Sequence, residues 1–233
     1  MEQLDQIASI IALSMGVAWA SGINLYAAIL MLGLLGSTGN MVLPPDLQIL
    51  MSPLVIFAAG AMYLVEFVAD KIPGVDTFWD TVHTFIRIPA GAALAVGAVG
   101  EVTPAVSLAV AIVGGSLTAG AHVTKAGSRV LINASPEPFS NWMASLSEDV
   151  VVIAGLWAAL HYPLLFLLFL LLFILLMVWL LPKIWRGIKL IFTALVNFFT
   201  GRGKGPPPPP DMKFPESFPE LPKESGKGAG TGQ

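Results

Sequence analysis

Long apolar stretches separated by short polar segments dominate the chain. The first, residues 7–35, carries no formal charge. A helix crosses a bilayer core of roughly 30 Å with about 20 residues. This stretch is too long for one straight span, and Ala20-Ser21-Gly22-Ile23-Asn24 interrupts it, so it reads as a tilted helix, a kinked helix or two half-helices. The second stretch, at about 53–69, contains Glu66 and leads into a polar segment over 70–87. The third is short, at about 88–100; a turn at 101–104 leads to the fourth, at about 105–123. A second polar segment follows at 124–147, then a fifth stretch at about 149–160. Tyr162-Pro163 marks a break before the sixth and clearest stretch, at 164–181. The pattern predicts an all-α, polytopic transmembrane helix bundle of about six spans with a broken first helix.

Composition points the same way. Of 233 residues, 55% are hydrophobic and only 12% charged, where soluble domains carry about 25% charge. So many uncharged stretches cannot be hidden in the core of so short a chain. Lys71, Arg87, Lys125 and Arg129 are the only cations before residue 182. With six spans, every cation falls on the side of both termini. The expected placement is a multi-pass protein of the cell (inner) membrane with cytoplasmic N- and C-termini. The acidic start, Met-Glu-Gln-Leu-Asp-Gln, is unlike a signal peptide and is read as retained. The absence of Cys excludes thiol chemistry and zinc thiolates. A net charge of −3 argues against nucleic-acid partners. Membrane lipids are the expected surroundings, and the pattern is compatible with a homo-oligomer.

Three regions follow from the pattern: a transmembrane helical domain over 1–182, a basic amphipathic juxtamembrane helix over 183–200, and a disordered Pro/Gly-rich cytoplasmic tail over 201–233. The 183–200 segment also reads as a continuation of the sixth helix. Weak internal repetition is visible. Ala20-Ser21-Gly22-Ile23-Asn24 resembles Thr118-Ala119-Gly120-Ala121-His122, and Ser52-Pro53 precedes Glu66 much as Ser135-Pro136 precedes Glu148. Two inverted three-helix repeats, common among transporters, would produce such matches.

Ionisable groups inside or beside apolar spans carry the candidate chemistry. Asp76, Asp80, His83 and Arg87, spaced 4, 3 and 4, form one stripe on a helix, and Glu66 and Asp70 share a face one turn apart. The stripe reads either as an ion or headgroup site or as an ordinary solvated juxtamembrane face. Lys125 and Arg129, with His122 a turn above, read either as topology determinants or as partners for an anion or for nearby acids. Glu148 and Asp149 sit where the fifth span begins. Asn24, beside Gly22, is placed to leave backbone carbonyls free at a helix break. The candidate substrate- or ion-binding set is therefore Asn24, Glu66, Asp70, Asp76, Asp80, His83, Arg87, His122, Lys125, Arg129, Glu148 and Asp149. No cofactor is required, but Asp76, Asp80 and His83 are chemically suited to a divalent metal. An enzyme is the less favoured class: Gly114-Gly115-Ser116 with His122 or His161 fits a serine nucleophile poorly. The leading expectation is a small transporter or permease for an ion, an anionic small molecule or a lipid headgroup. A metal-dependent enzyme acting on lipid headgroups and a membrane scaffold are the alternatives.

Four segments carry a family resemblance. They are Gly22-Ile-Asn-Leu-Tyr-Ala27, Glu66-Phe-Val-Ala-Asp-Lys-Ile-Pro-Gly-Val-Asp76, Trp79-Asp-Thr-Val-His-Thr-Phe-Ile-Arg87 and Ser135-Pro-Glu-Pro-Phe-Ser-Asn-Trp142. Together they resemble the bacterial membrane family known as domain of unknown function 4126, over about residues 15–182. The resemblance implies an integral membrane protein and assigns no activity.

Overall fold

The computed structural model describes residues 2–134 and 138–200. The Pro-rich tail at 201–233 and the Ser135-Pro136-Glu137 part of the repeat comparison lie outside the described residues. Among the described residues there are six helices: α1 (Glu2–Ser37), α2 (Pro53–Ala69), α3 (Val75–Val99), α4 (Pro104–Asn133), α5 (Pro138–His161) and α6 (Pro163–Thr200), with a 3-10 helix (Pro45–Met51) before α2. Pro opens α2, α4 and α6, where its missing N–H belongs to the helix's unbonded first turn. Five of the helices are long and apolar enough to cross a membrane, and the 3-10 helix with α2, bent by 69°, makes a sixth such segment. The chain is a polytopic helical membrane protein. Leu164, Leu165, Leu168, Leu171, Leu172, Leu175 and Leu176 of α6 all face outward, an apolar surface suited to lipid rather than water.

Helix α1 is not one crossing. Asn24 leaves helical geometry at φ −145°, ψ 95°, and its side-chain Oδ1 accepts the N–H of Ala27 at 2.9 Å. That is an N-cap, so a second half-helix begins there. The halves fold back on each other. Ser9 and Leu13 line the same cavity as Leu35, Asn40 and Met41, whereas a straight helix would hold Ser9 and Leu35 about 39 Å apart. The first half runs antiparallel to α5, with Gly16 against Ala159, Gly155 against Trp19 and Asn24 bonded to Asp149. The second half returns beside α2, with Leu30 near Gly60 and Gly33 near Ile56. The first apolar stretch is thus a re-entrant hairpin with Asn24 at its tip.

This hairpin sets where the start of α1 lies. Asp5 and Ser9 share a cavity with His161, Tyr162 and Pro163, so the N-terminal end lies beside the start of α6. The Lys71 turn and the far end of α6's apolar run lie at the other end of the bundle. The start of α1 and the Lys71 turn therefore lie at opposite ends of the bundle.

Helices α3 and α4 pair antiparallel over their whole length. Gly114 packs against Ala95, Gly91 against Thr118, Arg87 bonds His122 and Asp76 bonds Asn133. α4 and α6 run parallel, with Gly120 against Met177 and Gly127 against Ile184. Trp19, fully buried, fixes the centre of the bundle through edge-on contacts with Phe166, Phe169 and Phe173 at 6.0, 5.3 and 5.8 Å.

Three expectations are corrected. Residues 75–87 belong to α3 rather than to a solvated segment: Asp76, Asp80, His83 and Arg87 face inward while Phe78, Val82, Phe85 and Ile86 face out. No separate helix starts at 183, because α6 continues through Pro182. The two segments compared as repeats differ in build, since α1 breaks at Asn24 and α4 passes through His122 unbroken. They instead pack on each other: a Cβ on Gly22 would overlap the carbonyl oxygen of Thr118.

Candidate functional site

Beneath the hairpin tip, α2, α3, α4 and α5 bring their charged side chains into one network. Arg87, fully buried, donates through Nη2 to Glu66 Oε1 at 2.5 Å and through Nη1 to Asp80 Oδ1 at 3.0 Å. Lys125 Nζ donates to Glu66 Oε1 at 3.3 Å and to Asp70 Oδ2 at 2.8 Å. Arg129 grips Glu148 with two parallel bonds, Nε to Oε1 at 3.1 Å and Nη2 to Oε2 at 2.7 Å, the fork geometry in which an Arg–carboxylate pair is strongest. Arg129 also donates to the backbone and side-chain oxygens of Asn141. The network holds four carboxylates, Glu66, Asp70, Asp80 and Glu148, against three cations, Arg87, Lys125 and Arg129. With all groups ionised, it carries one negative charge in excess.

That imbalance is costly where water is scarce. It also shows in the bonding: Glu66 Oε2, Asp70 Oδ1 and Asp80 Oδ2 are buried without a partner. The network sits at the margin of the apolar layer, because Gly127 of α4 lies against Ile184, close beyond the end of α6's apolar run.

The helix break contributes to the same site. The carbonyl oxygen of Ile23, at the end of the first half-helix, accepts from Arg87 Nη1 at 3.3 Å and from Lys125 Nζ at 3.0 Å. A helix C-terminus offers unbonded carbonyls and partial negative charge, so cations suit it. Next to it, Asn24 Nδ2 donates to Asp149 Oδ1 at 3.0 Å, while Asp149 Oδ2 is buried and unbonded. Asn24 therefore caps one half-helix and ties the tip to α5.

His122 is the neutral Nε2–H tautomer by its bonding. Its Nδ1 lies 3.2 Å from Arg87 Nη1, which only donates, so that nitrogen is bare. Its Nε2 lies 2.8 Å from Thr84 Oγ1, whose own proton goes to the Asp80 carbonyl. Asp76 stands apart, held by Asn133 Nδ2 and by the N–H groups of Gly74 and Thr77. His83 bonds the Trp79 carbonyl through Nδ1 and stacks on the Trp79 ring at 4.0 Å. Lys71, in the turn after α2, lies over the Phe67 ring and reaches Ser145 Oγ at 3.4 Å. Partial burial lowers its pKa from the ordinary value.

A cavity of about 190 Å³ adjoins the network. Lys125 and Glu148 stand on its wall with Thr124, Ser128 and Ser147, and Phe173 of α6 and Ile23 of the tip supply apolar surface. Glu148, with 18% of its side chain accessible, is the most open member of the network.

The structure thus gathers Asn24, Glu66, Asp70, Asp80, Arg87, His122, Lys125, Arg129, Glu148 and Asp149, and leaves Asp76 and His83 at the edge. The proposed metal ligands do not fit a metal. Asp80 faces Arg87, Asp76 faces Asn133, and among the described residues no three His, Cys, Asp or Glu side chains converge to hold one. Thr84, Asn133, Asn141 and Ser145 join the bonding without having been singled out in the sequence. The signal for two of them was present: Asn141, Ser145 and Glu148 follow one another at spacings of 4 and 3, a stripe visible once α5 is started at Pro138.

A family model described as a domain of unknown function (DUF4126) matches residues 11–183. No curated protein and no solved structure matches the chain.

Proposed function

Because this chain belongs to the DUF4126 family, a domain of unknown function, its activity has to follow from its own geometry, and we propose that it is a small membrane carrier for an ion or small charged solute. One observation carries the reading: a broken helix tip rests on a buried network that is short of one positive charge and borders a cavity. A network of this kind changes its stability when a proton or cation arrives, which is what a coupled carrier needs. The half-helix tip, held by Arg87 and Lys125 at the Ile23 carbonyl, is the element that such a change would release. The hairpin lies between the network and the far end of the bundle, so its movement would exchange access.

The reading includes an orientation. Lys71, Lys183, Arg186 and Lys189 mark the cytoplasmic side of a cell (inner) membrane, with the acidic N-terminus on the opposite side. The metal-dependent enzyme is not favoured, given the scattered Asp76, Asp80 and His83.

Purified protein in liposomes loaded with a pH-sensitive dye tests the proposal. The wild type is expected to pass protons or cations down an imposed gradient, and Glu66→Gln and Arg129→Ala proteins that retain native circular dichroism are expected to fall to the rate of empty vesicles. Wild-type vesicles no leakier than empty ones, or variants that match the wild type, would contradict it.

A further inference from the structure

The bonding around the cavity bears on which solute it accepts. Its three hydroxyls all donate to their own helices: Thr124 Oγ1 to the Gly120 carbonyl at 2.8 Å, Ser128 Oγ to the Lys125 carbonyl at 2.7 Å and Ser147 Oγ to the Ala144 carbonyl at 2.8 Å. A hydroxyl has one proton and two lone pairs, so each retains only acceptor capacity toward the cavity. Glu148 accepts one bond on each oxygen from Arg129, and a carboxylate has about four acceptor positions. It too retains lone pairs.

Among the described residues Lys125 is the one cation on the cavity wall, and its N–H groups are already taken. An ammonium has three N–H groups, and the Ile23 carbonyl, Glu66 Oε1 and Asp70 Oδ2 take three bonds from it. Among the described residues the cavity wall is therefore a set of acceptors without a free donor, beside a network with one negative charge in excess. An anion meets repulsion there and no hydrogen bond. A monovalent cation meets four oxygen acceptors and closes the charge.

The size and the remaining wall narrow the class. At about 190 Å³, the cavity is roomier than the roughly 150 Å³ void that accepts benzene in an engineered protein interior. Its apolar side includes Phe173 and Val151, and an aromatic face attracts an organic cation. We infer that the cavity binds a small monovalent ammonium compound, its N–H groups distributed among the acceptors Glu148, Thr124, Ser128 and Ser147 and its carbon body against Val151 and Phe173. This rests on the carrier reading for its physiological meaning but not for the binding itself.

The test is calorimetric titration of the purified full chain in detergent with ethylammonium, sodium and acetate salts at constant ionic strength. Ethylammonium is expected to bind at one site per chain, sodium more weakly, and acetate not at all. Loss of hydrogen bonds to a charged ligand weakens binding by roughly tenfold or more, so the Thr124→Val/Ser147→Ala double variant is expected to lose about that much. Val151→Trp, on a lipid-exposed position that also borders the cavity, is expected to abolish binding by filling it. Wild-type circular dichroism and elution volume identify folded variants. Sodium binding equal to or tighter than ethylammonium, acetate binding, or ethylammonium binding unchanged in both variants would overturn the inference. Ethylammonium binding without any vesicle flux would leave the inference standing and defeat the carrier reading. Flux without ethylammonium binding would do the reverse.

Discussion

Lys125 is the residue on which most of the network depends. Its ammonium joins Glu66, Asp70 and the Ile23 carbonyl with almost no exposure to solvent. Removing one partner of a buried pair costs about 3–5 kcal/mol, because the other charge is left uncompensated. Lys125→Met is therefore expected to destabilise the protein by about that amount in detergent unfolding. Adding Glu66→Gln removes one of the carboxylates that Lys125 balances, leaving Arg87 paired with Asp80. The double variant is expected to be more stable than the sum of the single effects by about 1–3 kcal/mol, and strict additivity would show that the two side chains do not share a network. Individually, these residues are legible in the sequence. Glu66, Arg87, Lys125 and Glu148 are conspicuous because charges inside apolar stretches are expensive. Which cation answers which acid was not legible, since that depends on the 3–4 register of α3 against α4 and on the hairpin, both of them long-range.

At the scale of elements, Asn24 decides the shape of α1. Its side chain does two things: it caps the second half-helix at Ala27 and bonds Asp149. A serine keeps a capping oxygen and an alanine does not, so Asn24→Ala is expected to cost about 0.5–2 kcal/mol more than Asn24→Ser. Equal stability of the two would mean that the cap contributes nothing. Gly22 sets how closely the tip approaches α4. Gly22→Leu is expected to push the tip from Thr118 and to lower the thermal midpoint by several degrees, as overpacking costs about 1–3 kcal/mol. The break itself was legible from Ala20-Ser21-Gly22-Ile23-Asn24. The reversal was not, because a small-residue kink and a turn-back share the same local pattern. Helix boundaries were missed for a related reason: a stripe of Asp, His and Arg looks like a solvated face in a one-dimensional reading, yet α3 turns that stripe inward and presents Phe78, Val82 and Phe85 outward.

For the whole molecule, the helical bundle and its membrane setting followed from hydropathy. The course of the first apolar stretch did not. A charge-free first stretch gives the positive-inside rule nothing to act on, so a full crossing and a hairpin fit the same sequence. The structure distinguishes them through the shared surroundings of Asp5, Ser9 and His161. The hairpin in turn makes the site: without it the Ile23 carbonyl would not meet Arg87 and Lys125, and the network would have no movable neighbour.

Sidedness of the two ends of the chain tests that arrangement most directly. The chain has no Cys, so Asp5→Cys and Lys189→Cys can each be labelled alone with a membrane-impermeant maleimide in intact cells. Asp5→Cys is expected to react from outside and Lys189→Cys only after the membrane is opened. Labelling of both from the same side would mean that the first apolar stretch crosses the bilayer outright, and the hairpin and the site beneath its tip would be contradicted together.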